Sequence, residues 1–251
     1  MKLEGRVVLV TGASRGIGYA LVKRLLKEGA HVVACARSMT KTSLSHERLM
    51  KIDADVGVAD DLDRVFDEAI TRHGTVDAFV ANAGFAYYER LKNVSQAHVD
   101  AIFHVNVHQV VRGTMRMKAM KGDAPFNVMV TSSAIAYVPI PGLALYSATK
   151  AALQGFIGSV RHELGRKQVI QAVYPIATDT DFFNRANQPH RPWPMQSADK
   201  VAKAMVRGLK KNKRRVFPLK AFPIGRVLAP WALMWYVRQE KKRFARFNNE
   251  N

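Results

Sequence analysis

Residues 6–20, R-V-V-L-V-T-G-A-S-R-G-I-G-Y-A, constrain the fold more than any other stretch. Four apolar residues, Val7 to Val10, run into three glycines, Gly12, Gly16 and Gly18, and then into a helical pattern carried by Ala20, Leu21, Leu25 and Leu26. A short unbroken apolar run suits a strand buried on both faces. The glycines permit a tight turn and let a pyrophosphate approach backbone N–H groups at a helix start. A strand that ends in such a turn and helix commits the next strand to lie parallel beside it, because the chain must cross back over the sheet.

The remainder repeats that alternation. Apolar runs predict strands near 6–11, 31–36, 49–53, 76–81, 126–132 and 168–173, with a seventh near 214–217. Helical patterns fall near 16–28, 60–73, 98–120, 145–165 and 197–211. This is an α/β chain with a doubly wound, mostly parallel seven-stranded sheet flanked by helices. Residues 40–50 leave room for only a short second helix, and Pro189, Pro192 and Pro194 make 181–196 a loop or broken helix. At 251 residues, the chain suits one such domain over 1–222, followed by an apolar and basic extension over 223–251.

Candidate chemistry lies in L145-Y-S-A-T-K150. Tyr146 and Lys150 share a helix face at four-residue spacing, and Ser133 ends an apolar run upstream. A lysine cation beside a phenol favours the tyrosinate and eases proton exchange at a carbonyl or alcohol oxygen. Ser133 can hydrogen-bond the same oxygen. The single cysteine, Cys35, sits in a strand pattern that predicts burial, and it permits no intrachain disulfide. Eight scattered histidines form no ligand-spaced cluster, so nothing points to a metal. No charged segment followed by an apolar core opens the sequence, which argues for a cytoplasmic setting.

T11-G-A-S-R-G-I-G18, N82-A-G84, Asn106, Ser133 and the Tyr146–Lys150 pair occur in the order found in the short-chain dehydrogenase/reductase family, which the chain resembles over residues 5–216. The resemblance implies a Rossmann-type fold and NAD(P)-dependent oxidoreduction of alcohols and ketones. It makes Asn106, Ser133, Tyr146 and Lys150 the catalytic set. It lays Gly12, Ser14, Arg15, Gly16, Ile17 and Gly18 along the cofactor, and Asp55 and Val56 at the adenine. Asn82, Ala83 and Gly84 fall under the adenosine side. Lys150, with Tyr146, falls at the nicotinamide ribose, and Pro175, Thr178 and Thr180 at the carboxamide and pyrophosphate. Ile176 departs from the family's usual glycine after that proline. The second strand pattern ends A34-C-A-R-S38 without the carboxylate that accepts ribose hydroxyls in NAD sites. Arg37 and Arg15 instead predict attraction of a 2′-phosphate, hence NADP(H).

Phe85, Tyr87, Tyr88, Ile135, Tyr137, Leu143, Phe182 and Phe183 predict an apolar, aromatic pocket for a hydrophobic ketone or aldehyde, lipid-like in character. Arg185 and Arg191 fall in the lid. The same groups run in reverse would serve an alcohol or hydroxysteroid-type dehydrogenase on a soluble substrate. The resemblance also implies a homodimer or homotetramer built on the helices near 98–120 and 145–165.

Net charge is +19, and its distribution is uneven. From Arg207 onward 13 Lys or Arg face only Glu240 and Glu250. Between the basic clusters lies I224-G-R-V-L-A-P-W-A-L-M-W-Y-V237, with Pro230 set to kink a helix or begin its main part. That composition predicts an interfacial helix on an anionic membrane surface, peripheral on the cytoplasmic face. Alternatively, it predicts a helix covering the pocket or a subunit contact. A nucleic-acid-binding or purely regulatory protein is the non-enzyme alternative; no recognition motif specifies a nucleic acid.

Overall fold

The computed structural model describes residues 1–249. Seven strands form one sheet in the order β3-β2-β1-β4-β5-β6-β9. They are β1 Val7–Thr11, β2 His31–Ala36, β3 Leu49–Asp53, β4 Ala78–Ala81, β5 Phe126–Thr131, β6 Gln168–Val173 and β9 Arg215–Val216. Every pairing in this sheet is parallel. Strand order reverses between β1 and β4, and the crevice outside their carboxyl ends is where an open parallel sheet binds ligand.

Side chains alternate along each strand, so each face carries its own core. On one side Val8, Val10, Val32 and Ala34 pack with helices α1 (Gly16–Lys27) and α7 (Ala198–Lys210). Arg24 on α1 ties to Asp199 on α7 with a 2.8 Å hydrogen bond. On the other side Leu9, Val33, Phe79 and Val128 meet α2 (Ala59–His73), α4 (Gln109–Lys121) and α5 (Ala144–Glu163).

Two expectations need correction. No helix forms over 40–50, where Thr40 instead gives its N–H and hydroxyl to Asp53 at 2.8 and 2.5 Å. The helix expected at 98–120 is three pieces: α3 (Gln96–Phe103), a π-helical turn His104–His108, and α4. The segment 181–196, expected as a loop or broken helix, carries only one short helix and is framed by two short strands. Short strands β7 (Thr178–Asp179) and β8 (Gln196–Ser197) pair in parallel around α6 (Phe182–Arg185).

Beyond β9 the chain forms α8 (Ala221–Leu228), breaks at Ala229, and continues as α9 from Pro230 to Asn249. Pro230 falls at the first helical position, where its missing N–H costs no intrahelical bond. Helix α9 is fastened to the body. Glu240, 1% exposed, accepts from Arg243 at 2.6 Å and lies 2.8 Å from His190 Nε2. Phe244 and Phe247 pack edgewise on Tyr88. Among the described residues no helix is long and apolar enough to cross a membrane.

Candidate active site

The turn after β1 closes against β4 at a separation only glycine allows. Gly12 has φ +63°, and a Cβ there would lie 2.7 Å from the Ala83 Cα. At Gly18 a Cβ would stand 2.2 Å from the Gly12 carbonyl oxygen, so the first helical turn would be pushed off the loop. Asn82 locks the arrangement: its amide donates to Thr11 O at 3.0 Å and Gly12 O at 3.2 Å, and its oxygen accepts from the Thr131 hydroxyl. Asn82 is thus a brace between β1, β4 and β5, while Gly84 sits with its α-carbon close to Asn106 and Lys150.

Gln109 is a member of this assembly that the sequence reading missed. It is 1% exposed. Its oxygen accepts from the Thr11 hydroxyl at 2.9 Å, and its amide donates to Ala83 O at 2.7 Å and Val105 O at 2.5 Å. Thr11 in turn accepts from the backbone N–H of Asn82 and Ala83, both at 3.0 Å. The available signal was a glutamine three residues after Asn106, inside the otherwise apolar face of a helical pattern.

Asn106 falls in the π-helical turn, where the extra residue of the wider turn rotates its side chain inward. Its amide donates to Phe85 O at 3.0 Å and the Thr149 hydroxyl at 3.1 Å, and its oxygen accepts from Phe85 N. It therefore reaches Lys150 through the neighbouring Thr149, without a direct bond. Lys150 is buried and donates to Thr131 O at 2.8 Å. Burial brings its ammonium down to about 8. Its Nζ stands 5.4 Å from the Tyr146 ring centroid. Burial pushes the Tyr146 phenol up to about 12, and the Ser133 hydrogen bond draws it only part of the way back. Burial is the larger of the two influences on the phenol. Ser133 also caps a short 3₁₀ turn, accepting from Ile135 N at 3.2 Å.

A continuous cavity of about 1220 Å³ joins the glycine turn to these groups. Gly12, Ser14, Arg15, Gly16, Ile17, Arg37, Asp55, Val56, Asn82, Ala83, Gly84, Pro175, Thr178 and Thr180 all line it, so the predicted cofactor positions converge; buried Gly18 lies just behind the surface. Thr180 covers the glycine turn, with its methyl 3.0 Å from where a Gly16 Cβ would stand. The Thr178 hydroxyl is turned to Ile176 O at 2.9 Å. Residue 176 has no positive φ, so isoleucine there carries no backbone strain.

Positive charge gathers at the β2 end of the cradle. Arg15 and Arg37 line the cavity there, and Asp53, the acid ending β3, is engaged by Thr40. Arg185 on α6 joins them: burial, then Arg15 and Arg37, hold its guanidinium below the usual arginine range. Asp181 pairs with Arg15 at 3.6 Å, and Arg191 pairs away with Asp179 at 2.6 Å.

Beyond Tyr146 the cavity is apolar. Phe85, Tyr87, Ile135, Leu143, Phe182 and Phe183 line it as expected. Two expected members do not. Tyr88 is buried behind the wall against His190 and Phe244, and Tyr137 turns to Tyr174 and Phe217. In their place Phe222 and Gly225 of α8, and Leu233 and Tyr236 of α9, close the far wall.

Comparison with known proteins agrees with this geometry. Residues 6–191 match the family model described as short chain dehydrogenase. Versicolorin reductase 1 of Dothistroma septosporum is 33% identical over 195 residues, covering 72% of this chain and 73% of the relative. The 11-beta-hydroxysteroid dehydrogenase 1A of Arabidopsis thaliana is 29% identical over 94% of this chain and 75% of its own length. Among solved structures, a short chain dehydrogenase from Burkholderia cenocepacia in complex with NADP superposes with a TM-score of 0.80 at 24% identity, covering 94% of this chain and 99% of that one. One from Burkholderia phymatum in complex with NAD superposes at 0.78 with 19% identity, covering 89% and 92%. The braced glycine turn, the Ser133–Tyr146–Lys150 constellation and the family match over most of the sequence place this chain in the short-chain dehydrogenase/reductase family of oxidoreductases.

Proposed function

We propose that this protein uses NADPH to reduce the carbonyl group of a hydrophobic ketone or aldehyde to an alcohol. The observation that carries this reading is the half-buried Tyr146, with Ser133 as its hydrogen-bond partner and Lys150 Nζ 5.4 Å from its ring, at the junction of the cofactor cradle and an apolar cavity. When bound, the nicotinamide supplies the hydride for the carbonyl carbon. Tyr146 gives its proton to the carbonyl oxygen as negative charge develops there. The Ser133 hydroxyl donates a second hydrogen bond to that oxygen. Lys150, mostly cationic below about pH 8, stabilises the phenolate that remains. Asn106 is a positioning residue: it holds the Phe85 backbone next to Gly84 and the Thr149 hydroxyl next to Lys150.

Preference for NADPH over NADH is supported by Arg15 and Arg37 and by the absence of a free carboxylate at the end of β2. The lid contributes Arg185 to the same cluster. A carboxylate there would repel a 2′-phosphate, whereas guanidinium groups match it in charge and geometry. The functional unit of this reading is a homodimer or homotetramer packed on the exposed faces of α4 and α5. Its setting is the cytoplasm.

The test is carbonyl-dependent NADPH oxidation over ketones and aldehydes graded by chain length. Turnover should rise with apolar length and fall by about 10²–10⁴-fold in Tyr146→Phe, while NADPH still binds. Arg37→Ala should weaken NADPH by about ten- to a hundred-fold and leave NADH nearly unchanged. Near-normal turnover in Tyr146→Phe removes the assigned proton donor, and equal wild-type affinity for the two cofactors removes the NADPH assignment.

A further inference from the structure

Helices α8 and α9 are apolar on two opposite sides, and only one side has a partner in the fold. Their inner residues, Phe222, Gly225, Leu233 and Tyr236, line the cavity. Their outer residues lie at i, i+3, i+4 spacing: Ile224, Val227 and Leu228 on α8, then Trp231, Met234 and Trp235 on α9. All six are exposed, from 58% at Trp235 to 76% at Leu228. From Ala221 to Val237 the sole charged residue is Arg226, and its guanidinium lies over the Tyr137 ring at 4.5 Å. A helix facing only water on its outer side would place polar residues there. Isolated exposed apolar residues are ordinary, whereas a contiguous patch marks an interaction surface.

The patch has a definite position. Trp235 both lines the cavity and is mostly exposed, and Trp193, 75% exposed, does the same. Residues that line a cavity and face solvent stand at its mouth. The patch also has a definite electrostatic setting. Between Arg207 and Asn249 there are 13 Lys or Arg and one acid, Glu240, which is buried against His190 and Arg243. Lys241, Lys242 and Arg246 of α9 are exposed.

We infer that the outer faces of α8 and α9, with Trp193, form a docking surface for an anionic lipid bilayer, so that the cavity mouth opens toward the acyl layer. Tryptophans at the headgroup level and lysines beyond them match the two layers of such a surface. A second copy of this chain fits the face less well, since it would oppose two basic clusters without acids to neutralise them. No helix among the described residues is able to span a membrane, so contact is along the surface. The docking stands independently of the reaction. Delivery of substrate from the bilayer rests on the reductase reading above.

The test is co-sedimentation of the full chain with phosphatidylcholine vesicles and with phosphatidylcholine vesicles containing phosphatidylserine. The double variant Leu228→Glu, Trp231→Glu alters two exposed positions, and unchanged NADPH binding verifies its fold. Wild type should pellet with the phosphatidylserine vesicles and release as salt rises, and the variant should bind at least about ten-fold more weakly. Wild type remaining in the supernatant with both vesicles overturns the inference. So does binding that ignores phosphatidylserine and salt, or a variant that binds as well as wild type. A variant whose main change is a smaller sedimentation coefficient in lipid-free buffer assigns the face to a second copy instead. Vesicle binding is read without substrate, so its failure leaves the reductase reading intact, and failure of carbonyl-dependent turnover leaves the docking intact.

Discussion

Replacing Gln109 with leucine should loosen the cofactor turn without touching any residue that meets substrate. The leucine retains comparable bulk but removes three hydrogen bonds, to the Thr11 hydroxyl, Ala83 O and Val105 O. Each polar group left without a partner in a buried site costs about 1–3 kcal/mol. The added apolar burial returns roughly 1 kcal/mol, so the net loss is about 2–8 kcal/mol. A domain of this kind has only about 5–15 kcal/mol in total, so the effect is large. In urea unfolding with m about 2–3 kcal/mol/M, the midpoint should fall by roughly 1–4 M at constant m. NADPH affinity should fall with it, because Thr11 and Ala83 fix the turn that lines the cavity. Gln96→Leu is the control: that glutamine is exposed, bonds the exposed side of Asp100 on its own helix, and should cost no more than about 0.5 kcal/mol. A Gln109→Leu midpoint within the range of the control would refute the claim that this amide holds the glycine turn to β4.

Two further perturbations probe buried charge. Lys150 binds its proton with a value lowered to about 8 in the fold against an ordinary 10.5, so the unfolded chain holds more protons between those limits, and stability contributed by Lys150 should rise with pH across that window. Tyr146 opposes this only above its ordinary value of 10, so the difference in pH slope between wild type and Lys150→Met should be read by urea unfolding from about pH 8 to 10; equal slopes would mean that Lys150 is not desolvated. At Glu240, burial pushes the carboxyl up, but His190 and Arg243 outweigh it and hold it below the usual range. His190→Ala should therefore free α9 and speed tryptic cleavage after Arg238, Lys241 and Lys242 by at least about ten-fold, whereas an unchanged rate would assign α9 docking to Phe244 and Phe247 alone.

Local chemistry along the sequence determined the parallel sheet, the glycine turn and the identity of the Ser133, Tyr146 and Lys150 group. Each rests on short-range patterns: an apolar run, glycines at fixed offsets, a four-residue helical spacing. Those patterns survive folding because they are satisfied within one strand–turn–helix unit. Four other features depended on partners far away in the chain. The π-helical turn at Asn106 is fixed by Phe85 and Thr149, which a helical pattern over 98–120 does not reveal. Gln109 acquires its role only when β1 and β4 lie side by side. Tyr88 and Tyr137, aromatic like their neighbours, turn from the cavity because Phe244 in one case and Phe217 in the other offer them closer packing. The upward push on the Tyr146 phenol was not legible either, because desolvation is a property of the closed cavity. The tail shows both contributions at once. Its apolar and basic composition was legible in the sequence, but only the tertiary structure decided which side of each helix closes the cavity and which side is left facing outward.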